Sequence, residues 1–488
     1  RLHTHAGNRL LPKRYPLNEC VPQRHERPHR ASPAAPNRRG RVAREFQRCA
    51  AHEQRAAAIL REELPELFIS LSSEVLPIFR EYERSMATVL NAYVMPAISS
   101  YAARLEQRLR EDGIRAPLLL MKSSGGVTGV DTVRAQPIQT ALSGPAGGVV
   151  GAGLIAELSG HRDIITLDIG GTSADICLMS DARAAMTTEG RIGEWPLQLP
   201  ILDITTIGAG GGSIARIGPG GLTVGPQSAG ARPGPVCYGR GGTEPTVTDA
   251  HAVLGHLTGD LLGGELQLDI PAAREAIERK VAFPLRMSIE QAARGIIDIA
   301  NSNMVGAIRV VSVERGYDPA QFSLVPFGGA GPLHGSFIGR LLGMKAVVVP
   351  PAPGVLSSFG LLVSDLKSDF SSTCLQRPPF YDLERLASVF AQLEASAMAW
   401  LDHEQVPPAG RSLRRMAAFR YEHQGFELTV DWPRSQVDRA ALDQAIQAFH
   451  REHERLYTFA QPDAPVELVQ IRVCLLYTSD AADDTPCV

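Results

Sequence analysis

Leu167–Ile176 reads LDIGGTSADI, flanked by DIIT at 163–166 and CLMS at 177–180. Apolar, β-branched runs on both sides of the adjacent Gly170 and Gly171 predict two strands pinched around a tight turn. Glycine lets such a backbone approach a ligand closely, and the N–H groups around Gly170, Gly171, Thr172 and Ser173 point into the turn as an anion cradle. Asp168 and Asp175 supply carboxylates able to hold a hydrated Mg²⁺ or to orient a water. The bare string D-x-G-G-T-x-x-D also fits an ordinary Gly-Gly hairpin. Its burial between two β-branched strands favours phosphate binding.

Two further glycine clusters flank this hairpin in the chain. TTIGAGGGSIARI carries Gly208, Gly210, Gly211, Gly212 and Ser213 after an apolar strand ending near Asp203. It is not the dinucleotide fingerprint, because Ser213 takes the last glycine position and no βαβ unit with a ribose-binding acid follows. It also lacks the Lys of a P-loop, which excludes a Walker-type ATPase. The remaining reading is a helix N-terminus of small residues, suited to a second phosphate or to anchoring a loop. The other cluster, LVPFGGAGPLHG, is strand, Gly-Gly turn and helix, and the flat backbone at Gly328, Gly329 and Gly331 suits a purine or ribose. His334 is read there as a cap or packing residue one position into the helix. In the Gly/Pro loop ARPGPVCYGRGG, Arg240 is the candidate anion contact and Cys237 the cysteine to test for reactivity, whereas Cys177 is expected to be a core thiol. No Ser-His-Asp order, H-E-x-x-H helix or C-x-x-C pair is present.

Outward from these motifs, strand and helix signals alternate, which is α/β logic. AHEQRAAAILREEL predicts a helix, LFISLSS a short strand, and the stretch from Phe79 to Asp112 a long amphipathic helix interrupted near Pro96 and stopped at Gly113. APLLLMKSS predicts a buried strand and SGPAGGVVGAGLIAELSG a glycine-rich turn entering a helix. After about residue 370 the signals become α+β: helices at 382–403 and 436–457, antiparallel strands in MAAFRYEHQGFELTVDW and a strand in VELVQIRVCLL.

A chain of 488 residues with 44% apolar content exceeds one hydrophobic core and implies roughly two to four domains. No window offers the ~18 consecutive apolar residues of a membrane span, and the scattered seven cysteines fit reduced thiols, so a cytoplasmic protein without a membrane partner is expected. The formal charge of −3 hides an asymmetry: 12 of 49 basic and 3 of 52 acidic residues fall in 1–50, leaving that arm at +9 and the rest at −12. An acidic body does not bind nucleic acid non-specifically. The Arg-, Pro- and His-rich arm shows no period and too little apolar surface to fold, so residues 1–48 are expected to be a disordered or spurious basic arm.

With these residues assembled, the chain resembles the hydantoinase A / 5-oxoprolinase family, which includes the ATP-binding subunits of acetone and acetophenone carboxylases. The resemblance runs from about Ala51 to Val473 through LLMKSSGGV, ALSGPAGGVVGA, LDIGGTSADI, TIGAGGGSIARI, CYGRGGTEPTVTDA, VPFGGAGPLHG and PAPGVLSSFGLL. It implies an α/β fold of actin-like ATPase, ribonuclease-H-like lobes. The first lobe is incomplete, since a similar first hairpin is missing, and a partial α+β C-terminal domain follows. The implied divisions are a remnant of the first lobe with its connecting helix at 49–116, the ATPase domain at 117–370, the C-terminal domain at 371–473 and a non-native tail at 474–488. Arg232 stands where the family usually has an acidic residue.

The implied activity is ATP-dependent ring opening of a cyclic amide such as a hydantoin or 5-oxoproline, with ATP and Mg²⁺ as cofactors. In that reading Asp168 and Asp175 hold Mg²⁺ or water, Gly170 to Ser173 hold the β/γ-phosphates, Gly208 to Ser213 support them, and Gly328, Gly329 and Gly331 face adenosine. A hydantoinase B type subunit is the implied partner, and homo-oligomers are compatible with it. Three other readings stand beside it: an ATP-dependent carboxylase subunit for a ketone, a small-molecule kinase of the same fold, and a non-enzymatic nucleotide-gated module. The chain as a fragment could itself be inactive.

Overall fold

The computed structural model describes residues 50–477, apart from Phe79, Thr258, Gln405 and Ala409. The expectations for the arm at 1–48 and for residues 478–488 lie outside the described residues. In chain order the elements used below begin with helices α1 (Ala51–Glu63) and α2 (Glu81–Glu111), strands β1 (Leu119–Met121) and β2 (Val127–Gly129), and helix α3 (Ser143–Leu158). Strands β3 (Ile164–Ile169), β4 (Ala174–Ser180), β5 (Ile204–Ile207), β6 (Ser213–Gly218) and β7 (Gly221–Ser228) follow, then helices α4 (Val247–Val253) and α5 (Ile289–Val311). Next come β8 (Ser323–Phe327), α6 (Gly331–Leu342), β9 (Ala346–Val347) and α7 (Leu356–Leu362). The chain continues with β10 (Leu366–Gln376), α8 (Leu383–His403), β11 (Arg411–Tyr421), β12 (Leu428–Asp431), α9 (Arg439–Tyr457) and β13 (Val466–Tyr477).

The glycine hairpin lies in a mixed sheet of order β5-β4-β3-β8-β9, with β3, β4 and β5 antiparallel in succession and β8 parallel to both β3 and β9. Both faces of this sheet are covered, as its near-continuous apolar strands require. Ile165, Leu167, Ile169, Ile176 and Leu178 pack with Met304, Ile308 and Val311 of α5. The alternate residues Ile164, Cys177, Val325 and Phe327 pack with Ala146, Val149 and Ala152 of α3 on the other side. Helix α5 begins at a capping box formed by Ser288 and Gln291. By length and composition it is apolar enough to cross a membrane, and here it buries Ala292, Ile296, Ala300, Met304 and Ile308 along one face, as a core helix does. Each such Ile or Leu adds about 1.5–3 kcal/mol of burial.

A second sheet has the order β1-β2-β10-β13-β11-β12, and α8 and α9 supply Leu386, Phe390, Leu442 and Phe449 to its core. Strand β10 runs across the expected division at 370/371 and pairs with β2 through Leu366 and Val127, so one sheet joins residues from both sides.

Several local expectations change. LFISLSS forms no strand; instead Ser72–Val75 is a single helical turn, set by Glu53, whose carboxylate accepts the Ser72 hydroxyl and, at 2.9 Å, the Ser73 N–H. Helix α2 is not interrupted at Pro96 but continues through it; Pro96 is exposed, and Ala92, whose carbonyl loses its donor there, is half-buried. Strand β1 covers only three residues and is buried only at Met121. SGPAGG is helical from Ser143 rather than a turn before the helix. Its glycines serve packing: a Cβ on Gly148 would stand 2.5 Å from the Phe327 ring, and one on Gly360 would stand 1.8 Å from the Gly147 carbonyl oxygen, so α3 and α7 touch backbone to backbone. Residues 474–477, expected in a foreign tail, extend β13, with Cys474 and Leu475 buried.

Candidate functional site

The register of β3 and β4 sets Asp168 directly opposite Asp175, one residue inside the hairpin mouth. Between them the chain turns at 170–173, closed by the Gly170 N–H donating to the Ser173 carbonyl at 3.0 Å. Closing the turn uses the Gly170 donor. The N–H groups of Gly171, Thr172 and Ser173 have no acceptor among the described residues, and Gly171 and Thr172 are exposed. No heavy atom lies within 4 Å of where a Cβ on Gly171 would be.

Burial, and then the neighbouring Asp175, pushes the Asp168 carboxyl up to about 6. Burial likewise raises Asp175, opposed by the Thr206 hydroxyl that donates to its Oδ1. Thr206 faces Asp175 across the β4–β5 ladder. Two half-buried carboxylates on facing positions repel each other, and a divalent cation would relieve that repulsion. Their hard oxygens fit Mg²⁺, which commonly takes one or two carboxylates and completes its shell with water and phosphate. Among the described residues no cluster of three or more His, Cys, Asp or Glu offers a fuller protein cage.

The second glycine cluster lies against the first. Gly211 N–H donates to the Gly170 carbonyl at 3.0 Å and Gly212 N–H to the Gly171 carbonyl at 2.7 Å. A Cβ on Gly210 would stand 2.7 Å from the Thr172 nitrogen and 2.8 Å from the Gly170 oxygen. Ser213 is buried and accepts the Gly210 N–H at 2.9 Å. Behind it, the Thr248 hydroxyl and N–H both donate to the Gly211 carbonyl at 2.8 Å. Gly208–Gly212 does not open a helix, as the sequence suggested, but runs into β6, which pairs antiparallel with β7. The alternation SIARIG and the Gly220-Gly221 turn were the hairpin signal.

The third cluster meets the carboxylates from β8. Gly328 has φ +79° and a Cβ there would stand 2.2 Å from Asp168 Oδ1; Ala330 N–H donates to the Ile169 carbonyl at 3.0 Å. Gly329 is exposed with open space at its Cβ position, whereas Gly331 is buried at the start of α6, where a Cβ would stand 3.1 Å from the Pro326 backbone. His334 is the fourth residue of α6, not one residue in, and is fully buried. Its Nδ1 meets Asn301 Oδ1 at 2.7 Å and its Nε2 meets His251 Nε2 at 3.3 Å. Burial pushes His334 down to about 4 and His251 to about 3, so both are neutral packing groups at pH 7.

In the Gly/Pro loop, Arg240 is exposed and lies 5.9 Å over the Tyr238 ring. The site of Cys237 does not favour a reactive thiolate: the residue is fully buried, and burial with the nearby Asp249 drives its thiol far above the ordinary range. Cys177 is a core thiol pushed up to about 12. Sequence reasoning missed Asp249, which anchors this loop by accepting N–H groups from Val236, Cys237 and Thr246; the capping box TVTD was its legible signal. Thr206 was missed because only the strand register brings it to Asp175.

Against known proteins, the hydantoinase/oxoprolinase family profile matches residues 84–370. The chain is 39% identical over 430 residues to caprolactamase subunit alpha of Pseudomonas jessenii, covering 87% of this chain and 62% of that protein. It is 38% identical over 327 residues to the acetophenone carboxylase gamma subunit of Aromatoleum aromaticum, covering 65% of this chain and 44% of that protein. It superposes on the crystal structure of ATP-dependent caprolactamase from Pseudomonas jessenii with TM-score 0.82 and 38% identity, over 89% of this chain and 64% of that one. The chain thus spans less than two thirds of the length of these relatives.

Proposed function

The chain belongs to the hydantoinase/oxoprolinase family, and on that premise we propose that it is the nucleotide-binding part of an enzyme that uses ATP to open a cyclic amide. The observation that carries the reading is the convergence of three glycine turns on the facing Asp168 and Asp175. The sheet, three antiparallel strands extended by two parallel ones beyond β3, supports a ribonuclease-H-like lobe of the actin-like kind. In the reaction the amide oxygen takes the γ-phosphoryl group and ADP leaves. Water then adds to the activated carbon and the ring nitrogen departs with a proton, leaving an acyl phosphate that a second water hydrolyses to the ring-opened acid and phosphate.

The free N–H groups of Gly171, Thr172 and Ser173 hold phosphate oxygens and neutralise charge as it develops, which is most of what phosphoryl transfer asks of a protein. Asp168 and Asp175 hold Mg²⁺, which supplies charge neutralisation on the phosphates. Gly208–Ser213 fixes the turn from behind, and Gly329 offers open backbone to the nucleoside. A hydantoinase B type subunit completes the enzyme; the two relatives quoted above are, by name, subunits.

Incubation with ATP, Mg²⁺, a partner subunit and a lactam is expected to release ADP, phosphate and the ring-opened amino acid. A stable phosphorylated product would replace the reading with a kinase, and ATP hydrolysis stimulated by unfolded peptide alone would replace it with a binding module. A second reading, ATP-dependent carboxylation of a ketone, draws on the likeness to the acetophenone carboxylase subunit; product from ketone and bicarbonate, and none from lactams, would favour it.

A further inference from the structure

A cavity of about 280 Å³ opens between β1, the region around Ser73–Ile78, β10 and β13, and it shares no residue with the glycine turns. Its wall holds a charge seldom found so deep. Lys122 is only 4% exposed, and its ammonium has two long contacts, the Lys367 carbonyl at 3.4 Å and the Ser368 hydroxyl at 3.5 Å. Among the described residues no carboxylate comes within ion-pair distance of it. Asp369, the acid whose charge acts on it, is ion-paired with Arg472 at 3.1 Å and so serves both cations of this wall. Of the two other acids on the wall, Glu427 pairs with Arg80 at 2.9 Å and Glu74 is exposed. The interior of the cavity therefore carries one positive charge in excess.

Two polar atoms on the same wall also lack protein partners: the Ser124 hydroxyl, in a residue 4% exposed, and the Gln139 amide oxygen. A buried ammonium that has no ion-pair partner of its own and buried polar atoms without hydrogen bonds are each costly, and a ligand satisfying them together would bind. Gln139 Oε1 asks for a donor and Lys122 asks for an anion, while Leu393 and Trp400 offer apolar wall between polar ends.

We propose that this cavity binds a small carboxylate that also carries an N–H group, its carboxylate on Lys122 and Ser124 and its N–H on Gln139. The site is separate from the glycine turns, so it stands whether or not they bind nucleotide. The volume limits the ligand to a small amino acid or a ring-opened amide of similar size.

The test is a titration of 4-aminobutanoate into the full chain, followed by calorimetry and by the fluorescence of Trp400, with butanoate and butylamine as controls. Saturable binding of 4-aminobutanoate is expected, weaker binding of butanoate, and none of butylamine. Lys122→Met should abolish binding. Ser124→Ala removes only a hydroxyl that lacks a partner, so it should keep the protein folded while weakening binding about tenfold. Absence of saturation in the wild type into the millimolar range, butylamine binding as well as the acids, or unchanged affinity in Ser124→Ala would each overturn the proposal. Mg·ADP binding, measured alongside, reports on the glycine turns alone.

Discussion

Gly171 and Gly210 are both glycines in turns of small residues, yet their surroundings are opposite. Gly171 has open space where a side chain would project, beside N–H groups without acceptors. Gly210 is buried with its Cβ position filled by the backbone of Thr172 and Gly170. The first glycine is small for something outside the protein; the second is small for the first turn. A glycine-rich string alone does not distinguish a cradle from the brace behind it, and what separates them is the next strand: β4 returns the first turn into the main sheet, whereas β6 carries the second into a separate hairpin with β7.

This division can be broken by substitution. Gly328→Ala should have the largest effect, about 3 kcal/mol of stability, because its φ of +79° is unfavourable for alanine and its Cβ would displace Asp168; a urea midpoint equal to wild type would show that Gly328 does not brace the carboxylates. Gly210→Ala should cost about 2 kcal/mol, since both atoms it meets are backbone and shift only with the turn.

Acid should loosen the brace as well. Folded-state pKa values of His251 and His334 are depressed to about 3 and 4, so their stabilisation is present above the ordinary value near 6.5 and is lost as pH falls below it. A loss of about 2 kcal/mol between pH 6.5 and 5 is expected in denaturant titrations. In His251→Gln that slope should shrink, and an unchanged slope would remove the histidine pair from the account. Smallest is Gly171→Ala, expected to change stability by less than about 0.5 kcal/mol while weakening nucleotide binding. If it destabilised the fold as much as Gly210→Ala, the two turns would not differ in role.

The hairpin at 164–180 was legible because its strands are apolar on both faces and its turn carries adjacent glycines, both local signals. So were α8 and α9, whose apolar residues recur at helical spacing. The helical run of α3 was misread because its glycines answer to α7, some 200 residues away in sequence, and no local pattern records that contact. LFISLSS has strand composition, but its last two residues are held in a helical turn by hydrogen bonds to Glu53. Thr206 and Lys122 were invisible for one reason: the register of β5 on β4 makes the first a partner of Asp175, and the fold around β10 and β13 buries the second. Fold class and the acidic pair were thus readable, while the brace and the cavity depended on non-local contacts.

The most direct test of the central claim is calorimetric titration of Mg·ADP into this chain and into Asp168→Asn. The account predicts saturable heat in the wild type and at least about a tenfold loss of affinity in the variant. No heat in the wild type, or equal affinity in the two proteins, would contradict it.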